Sequence, residues 1–155
     1  MTTKIVIIGG GSGGYVAAIR GSQLGAQVTL IEKDKLGGVC LNRGCIPTKV
    51  LLQSANILKQ TKDAALFGIS VENISVDFSA VINRKEAIVK RLVNEVTYLM
   101  RKNKIDVVEG VGMLIDSNTV GIPGEHHRIK ADNIIVATKP SSPIKASPLN
   151  LRRTR

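Results

Sequence analysis

Residues 4–15 read Lys4-Ile5-Val6-Ile7-Ile8-Gly9-Gly10-Gly11-Ser12-Gly13-Gly14-Tyr15. The unbroken aliphatic run Ile5–Ile8 suits a strand buried on both faces of a parallel sheet. The next six residues, five of them glycine, break it. Tyr15–Leu24 then carries Val16, Ala17, Ile19 and Leu24 on a helical spacing, with Gly25 at its end. Gln27–Ile31 is a second aliphatic strand, closed by Glu32. Strand, glycine turn, helix and strand within about thirty residues make a βαβ half-unit.

The glycines fall as Gly9-x-Gly11-x-x-Gly14, and Glu32 follows about twenty residues later. Each position has a physical task. Gly9 permits the tight turn, Gly11 lets a pyrophosphate approach the backbone, and Gly14 lets helix and strand pack closely. The anion then meets free N–H groups and the positive end of the helix dipole. Glu32 accepts hydrogen bonds from a ribose hydroxyl. Glycine loops recur by chance, but strand, helix and terminal acid agree here, which marks a dinucleotide site. The fingerprint alone does not separate FAD from NAD.

The chain has 155 residues, 43% hydrophobic and 22% charged, enough for one domain with a proper core. Two Tyr, two Phe and no Trp make that core aliphatic and argue against a stacking platform for nucleic acid. Net charge is +10, yet residues 139–155 supply +5 of it with no acid. Half of the basicity is therefore a tail feature, and neither nucleic acid nor membrane is an expected partner. No apolar run approaches the roughly 18 residues that span a bilayer. The glycine loop after Ile8 is unlike a signal peptide, so a cytoplasmic location is expected. In that compartment two cysteines are chemical rather than structural.

Downstream, Val50–Lys59 is helical in pattern, with Pro47 in or near a first turn. Asp77 or Ser79 caps a long helix whose apolar stripe is Ile88, Val89, Leu92, Val93, Val96, Leu99 and Met100, read as core packing. From Ile105 the pattern changes to short β segments: Val107-Val108, Met113–Ile115, Val120–Ile122 and Ile134–Ala137. Asp116-Ser117-Asn118 and Pro123-Gly124 supply turns, giving a small meander that returns to the sheet. The fold class is α/β, a Rossmann-like domain with a parallel sheet, helices and a small antiparallel meander over residues 1–138. Residues 139–155, basic and rich in Ser and Pro, read as a disordered tail.

Cys40 and Cys45 lie five positions apart in Gly37-Gly38-Val39-Cys40-Leu41-Asn42-Arg43-Gly44-Cys45-Ile46-Pro47-Thr48-Lys49. A zinc site wants tighter pairs and more ligands, and His126-His127 reads as polar surface, so no metal is expected. In an ideal helix, Cα atoms five residues apart are roughly 8–9 Å from each other. A disulfide needs less than about 7 Å. The segment must therefore be distorted or only partly helical, with Gly44 as the place for the break. A bond across it would be strained and easily reduced, and a helix start would favour a thiolate.

This stretch resembles the GGxCLNxGCIPSK motif of the flavin-dependent pyridine nucleotide-disulfide oxidoreductases, with Thr48 in place of the usual Ser. The resemblance spans about residues 4–138. Leu41 and Ile46 are more similar to the branch acting on dihydrolipoamide than to glutathione or mercuric reductases, which favour Val there. It implies electron transfer among dihydrolipoamide, a Cys40–Cys45 disulfide, FAD and NAD. Cys45 would face the flavin as the charge-transfer thiolate, and Cys40 would be the interchange thiol. The implied cofactor-binding set is Gly9, Gly11, Ser12, Gly14, Glu32, Lys33, Gly38, Val39, Cys40, Lys49, Gly112, Ala137 and Thr138. In this set Glu32 meets the adenosine ribose, Gly112 the adenine side through its backbone, and Lys49 the flavin. Complete members imply a homodimer serving a 2-oxo acid dehydrogenase complex.

Two departures stand out. Lys139-Pro140 follows Ala137-Thr138 where the family carries glycine. The family also continues far past residue 155, with an NAD-binding domain and an interface domain, so the chain reads as an incomplete member. Three other readings stay open: a member of the glutathione or mercuric reductase type, an NAD-dependent dehydrogenase with incidental cysteines, and a basic binding module whose activity resides in residues 139–155.

Overall fold

A computed structural model describes residues 2–124 and 128–138. The expectations for His126, His127, Lys139 and the tail lie outside the described residues. In chain order the elements are β1 (Lys4–Ile8), α1 (Ser12–Gln23), β2 (Gln27–Glu32), α2 (Gly38–Arg43), α3 (Cys45–Lys62) and a short 3-10 turn (Ala64–Phe67). There follow α4 (Phe78–Lys102), β3 (Asp106–Glu109), β4 (Met113–Asp116), β5 (Thr119–Gly121), β6 (Arg128–Lys130) and β7 (Asn133–Val136). Four strands form a sheet in the order β3-β2-β1-β7, parallel throughout. A second, antiparallel sheet has the order β4-β5-β6.

The side-chain alternation of β1 divides the core in two. Ile7 faces a cluster with Ala18, Val28, Leu30, Val96, Met100 and Ile105, which joins the sheet to α1 and α4. Val6 and Ile8 face the other way, with Ile31, Val120, Ile122 and Ala131, and join it to the antiparallel sheet. This is why no polar residue interrupts Ile5–Ile8: both faces of the strand are covered. Burying each such side chain stabilises by about 1.5–3 kcal/mol.

Several local expectations change. The first helix begins at Ser12 inside the glycine run, not at Tyr15. Gly11 serves as its N-cap in extended backbone, so the fingerprint itself enters the first turn. The third helix begins at Cys45 and runs to Lys62, longer than Val50–Lys59, because Pro47 fits a first turn that needs no N–H from it. Val107-Val108 belongs to the parallel sheet, where β3 pairs with β2. Strand β6 carries a single apolar residue, Ile129, between Arg128 and Lys130, too short a pattern to read in advance.

Asp77 caps α4, its Oδ1 accepting from the N–H of Ala80 at 3.0 Å. Of the expected stripe, Val96 and Met100 are buried, while Ile88, Val89, Leu92, Val93 and Leu99 are half-buried. The helix anchors at its C-terminal end and packs beside α3 and α1. Lys104, in left-handed backbone, then turns the chain so that buried Ile105 leads into β3.

Candidate functional site

The C-terminal ends of the parallel strands open into a cleft of about 620 Å³, where open α/β sheets hold their ligands. Ile8 of β1, Ile31 and Glu32 of β2, the Gly110-Val111-Gly112 turn after β3, and Ala137 and Thr138 after β7 all line it. From one side α1 enters with Gly11, Ser12 and Gly13. No side chain caps this helix, so its first N–H groups stay free for an anion. A Cβ on Gly13 would meet nothing within 4 Å. Gly14 stands behind the wall, buried, with its α-carbon pressed on the carbonyl of Gly9.

Glu32 organises the floor. Its Oε2 accepts from the N–H of Gly10 at 2.6 Å and its Oε1 from the N–H of Asp34 at 2.9 Å. A carboxylate offers about four acceptor positions, so two remain for hydroxyl donors. Uncapped helix, open glycine turn and half-satisfied carboxylate together fit a dinucleotide's pyrophosphate and ribose.

The opposite wall is the cysteine segment. Gly37 and Gly38 are both left-handed, at φ 93° and 63°. The N–H of Gly37 donates to the carbonyl of Gly10 at 2.8 Å. A Cβ on Gly38 would lie 2.8 Å from the Cα of Gly11. Only glycine at this position lets the two loops touch. Val39 and Cys40, in the first turn of α2, consequently line the cleft.

Gly44 ends α2 at φ −123° and ψ −109°, and α3 starts at once with Cys45. The break falls at Gly44, between the two thiols, and leaves them close enough to influence one another's titration. Both are free and exposed. The hydrogen bond with the Cys45 side chain, then desolvation, pushes the Cys40 thiol above its ordinary value, with Lys49 acting weakly the other way. At the rim Arg43 donates to Asp34 at 2.6 Å, an exposed pair tying α2 to the end of β2.

Of the residues expected at the site, Gly9, Gly11, Ser12, Glu32, Lys33, Gly38, Val39, Cys40, Gly112, Ala137 and Thr138 line the cleft. Gly14, Cys45 and Lys49 do not. Sequence reasoning missed Asp34, Gly37, Asn42, Arg43 and Gly110, which also line it. The positive φ of Gly37 and Gly110 leaves only the glycine itself as a signal. Asp34 and Arg43 are nine positions apart, a separation no helical or strand period announces. Among the described residues no group of three or more His, Cys, Asp and Glu gathers to hold a metal. Nor is any described helix long and apolar enough to cross a membrane.

The family described as pyridine nucleotide-disulphide oxidoreductase matches residues 3–150. A dihydrolipoyl dehydrogenase of Acholeplasma laidlawii is 44% identical over 146 residues, covering 94% of this chain and 43% of its own length. Dihydrolipoyl dehydrogenases of Chlamydia trachomatis and Bacillus subtilis are 48% and 47% identical, over 86% and 91% of this chain and 29% and 31% of their own lengths. The chain thus spans less than half the length of these relatives. Among solved structures, the HOCl-induced flavoprotein disulfide reductase RclA of Escherichia coli, in a Cu(II) complex, superposes with a TM-score of 0.72 at 29% identity. That match covers 89% of this chain and 29% of the other.

Proposed function

Because the chain belongs to the pyridine nucleotide-disulphide oxidoreductase family, we propose that it is the FAD-holding, cysteine-bearing part of a dihydrolipoyl dehydrogenase. The observation that carries this reading is the contact between Gly38 and Gly11, which seats the cysteine helix on the dinucleotide turn. The uncapped start of α1 would hold the pyrophosphate, Glu32 the ribose, and Gly112 and Thr138 the neighbouring walls.

FAD, when bound, supplies a two-electron acceptor beside sulfur. The chain supplies the thiol–disulfide step. A dihydrolipoamide thiolate attacks the oxidised Cys40–Cys45 pair, the cystine S–S bond breaks, and the lipoamide S–S bond forms. Two electrons and two protons pass to the cysteines, leaving two thiols. Cys40 is the interchange thiol, and the neighbouring Cys45 side chain pushes its titration up. Cys45 opens the eighteen-residue α3 and takes the flavin-facing role from the family motif, while Cys40 is the sulfur that lines the cleft. NAD serves as final acceptor in the complete enzyme, a cytoplasmic homodimer working on a 2-oxo acid dehydrogenase complex.

The test is the absorbance spectrum of the purified chain reconstituted with FAD. Retained flavin with a long-wavelength band on two-electron reduction supports the reading. Cys45→Ser abolishes the band and Cys40→Ser preserves it, whereas the reverse pattern exchanges the two roles. A chain that takes up no flavin but gains stability from NADH is instead a simple NAD-binding domain.

A further inference from the structure

We propose that Asn42 is a positioning residue that locks the paired left-handed glycines and thereby sets the cysteine helix against the fingerprint turn. The proposal rests on the reading of this cleft as a dinucleotide site beside a thiol pair. Its basis is geometric. Gly37 and Gly38 take consecutive left-handed conformations, which their own side chains do nothing to hold. The flanking carbonyls of Leu36 and Gly38 both accept from Nδ2 of Asn42, at 3.0 and 2.9 Å. One amide nitrogen, with its two hydrogens, thus clamps the turn from both ends. Asn42 sits half-buried in the cleft wall, two positions beyond Cys40 in the same short helix. Releasing the clamp frees Gly38 from Gly11 and lets Cys40 drift from Cys45.

Aspartate has the shape of asparagine but accepts only, turning negative charge toward two carbonyl oxygens, and leucine has similar bulk and no donor. The experiment is alkylation of the full, FAD-free chain by iodoacetamide, with each cysteine quantified by mass spectrometry. In Asn42→Asp and Asn42→Leu the ratio of the Cys40 rate to the Cys45 rate rises at least about five-fold, with the circular dichroism spectrum unchanged. General loosening would raise both rates alike. A ratio within about two-fold of the parent in both variants overturns the proposal. Should either variant fail to fold, Asn42→Ser, which keeps one donor, carries the same measurement, with a smaller rise expected and an unchanged ratio again fatal. FAD titration runs in parallel, its dissociation constant rising about ten-fold in the variants. If the parent chain binds no FAD, the dinucleotide reading fails, while the thiol ratio still decides the role of Asn42.

Discussion

Gly14 lies so close to Gly9 that a Cβ on Gly14 would clash with the Gly9 carbonyl oxygen. One glycine permits the turn and the other permits the helix to start beneath it. The spacing of the fingerprint is therefore a packing requirement before it is a binding one.

Gly14→Ala is expected to destabilise the chain by about 3 kcal/mol, the upper part of the range for overpacking. Gly13→Ala, at an open position of the same helix turn, is expected to stabilise it by roughly 0.5–1 kcal/mol through helix propensity. Urea denaturation of the two variants against the parent measures both. The Gly13 variant also places a methyl in the cleft and weakens FAD binding, which titration reads independently.

Glu32→Gln turns one acceptor oxygen into a donor facing an N–H, of either Gly10 or Asp34. The loss of a charge-assisted bond predicts destabilisation of about 1.5–3 kcal/mol. FAD affinity falls with it, because the floor of the cleft loses its shape. Denaturation and flavin titration are the measurements.

Met100 is 1% exposed and fills the cluster beneath β1 and β2. Met100→Ala is expected to cost about 2–5 kcal/mol by opening a cavity between α4 and the sheet. Asp77→Ala, at the far end of the same helix, removes only a cap and costs about 1 kcal/mol. Thermal melts of the two variants rank them in that order.

Asp116 accepts from the N–H of Asn118 at 2.8 Å, and this bond, with the Thr119 side chain next, holds its carboxyl below the usual value. A depressed folded value means that, at the same pH, the folded chain binds fewer protons at this carboxyl than the unfolded chain would. The stabilisation is complete above the unfolded value of about 3.9 and is lost as pH falls through the lower folded value. Asp116→Asn keeps the acceptor oxygen without the charge. Below about pH 4 its denaturation midpoint should therefore fall less steeply than the parent's.

The βαβ half-unit was legible because its signals are local. A continuous aliphatic run before a glycine turn suits a doubly covered strand, and five glycines in six residues end it at once. The cysteine spacing likewise demanded a break near Gly44, since an unbroken helix holds such residues too far apart. The long amphipathic helix announced its stripe and left its cap between Asp77 and Ser79. It did not announce which end would dock, because that depends on where β1 and β2 leave room.

By itself, then, the order of residues determined the nucleotide turn, the acid that closes β2, the interrupted helix of the two thiols and the α/β class. Each follows from backbone sterics and periodicity within one or two turns of chain. Only the tertiary structure decided that β3 joins the parallel sheet, that Gly38 abuts Gly11, that Arg43 meets Asp34, and that Cys40 lines the cleft while Cys45 does not. These relations join segments whose separation in sequence carries no period, so packing alone brings them together.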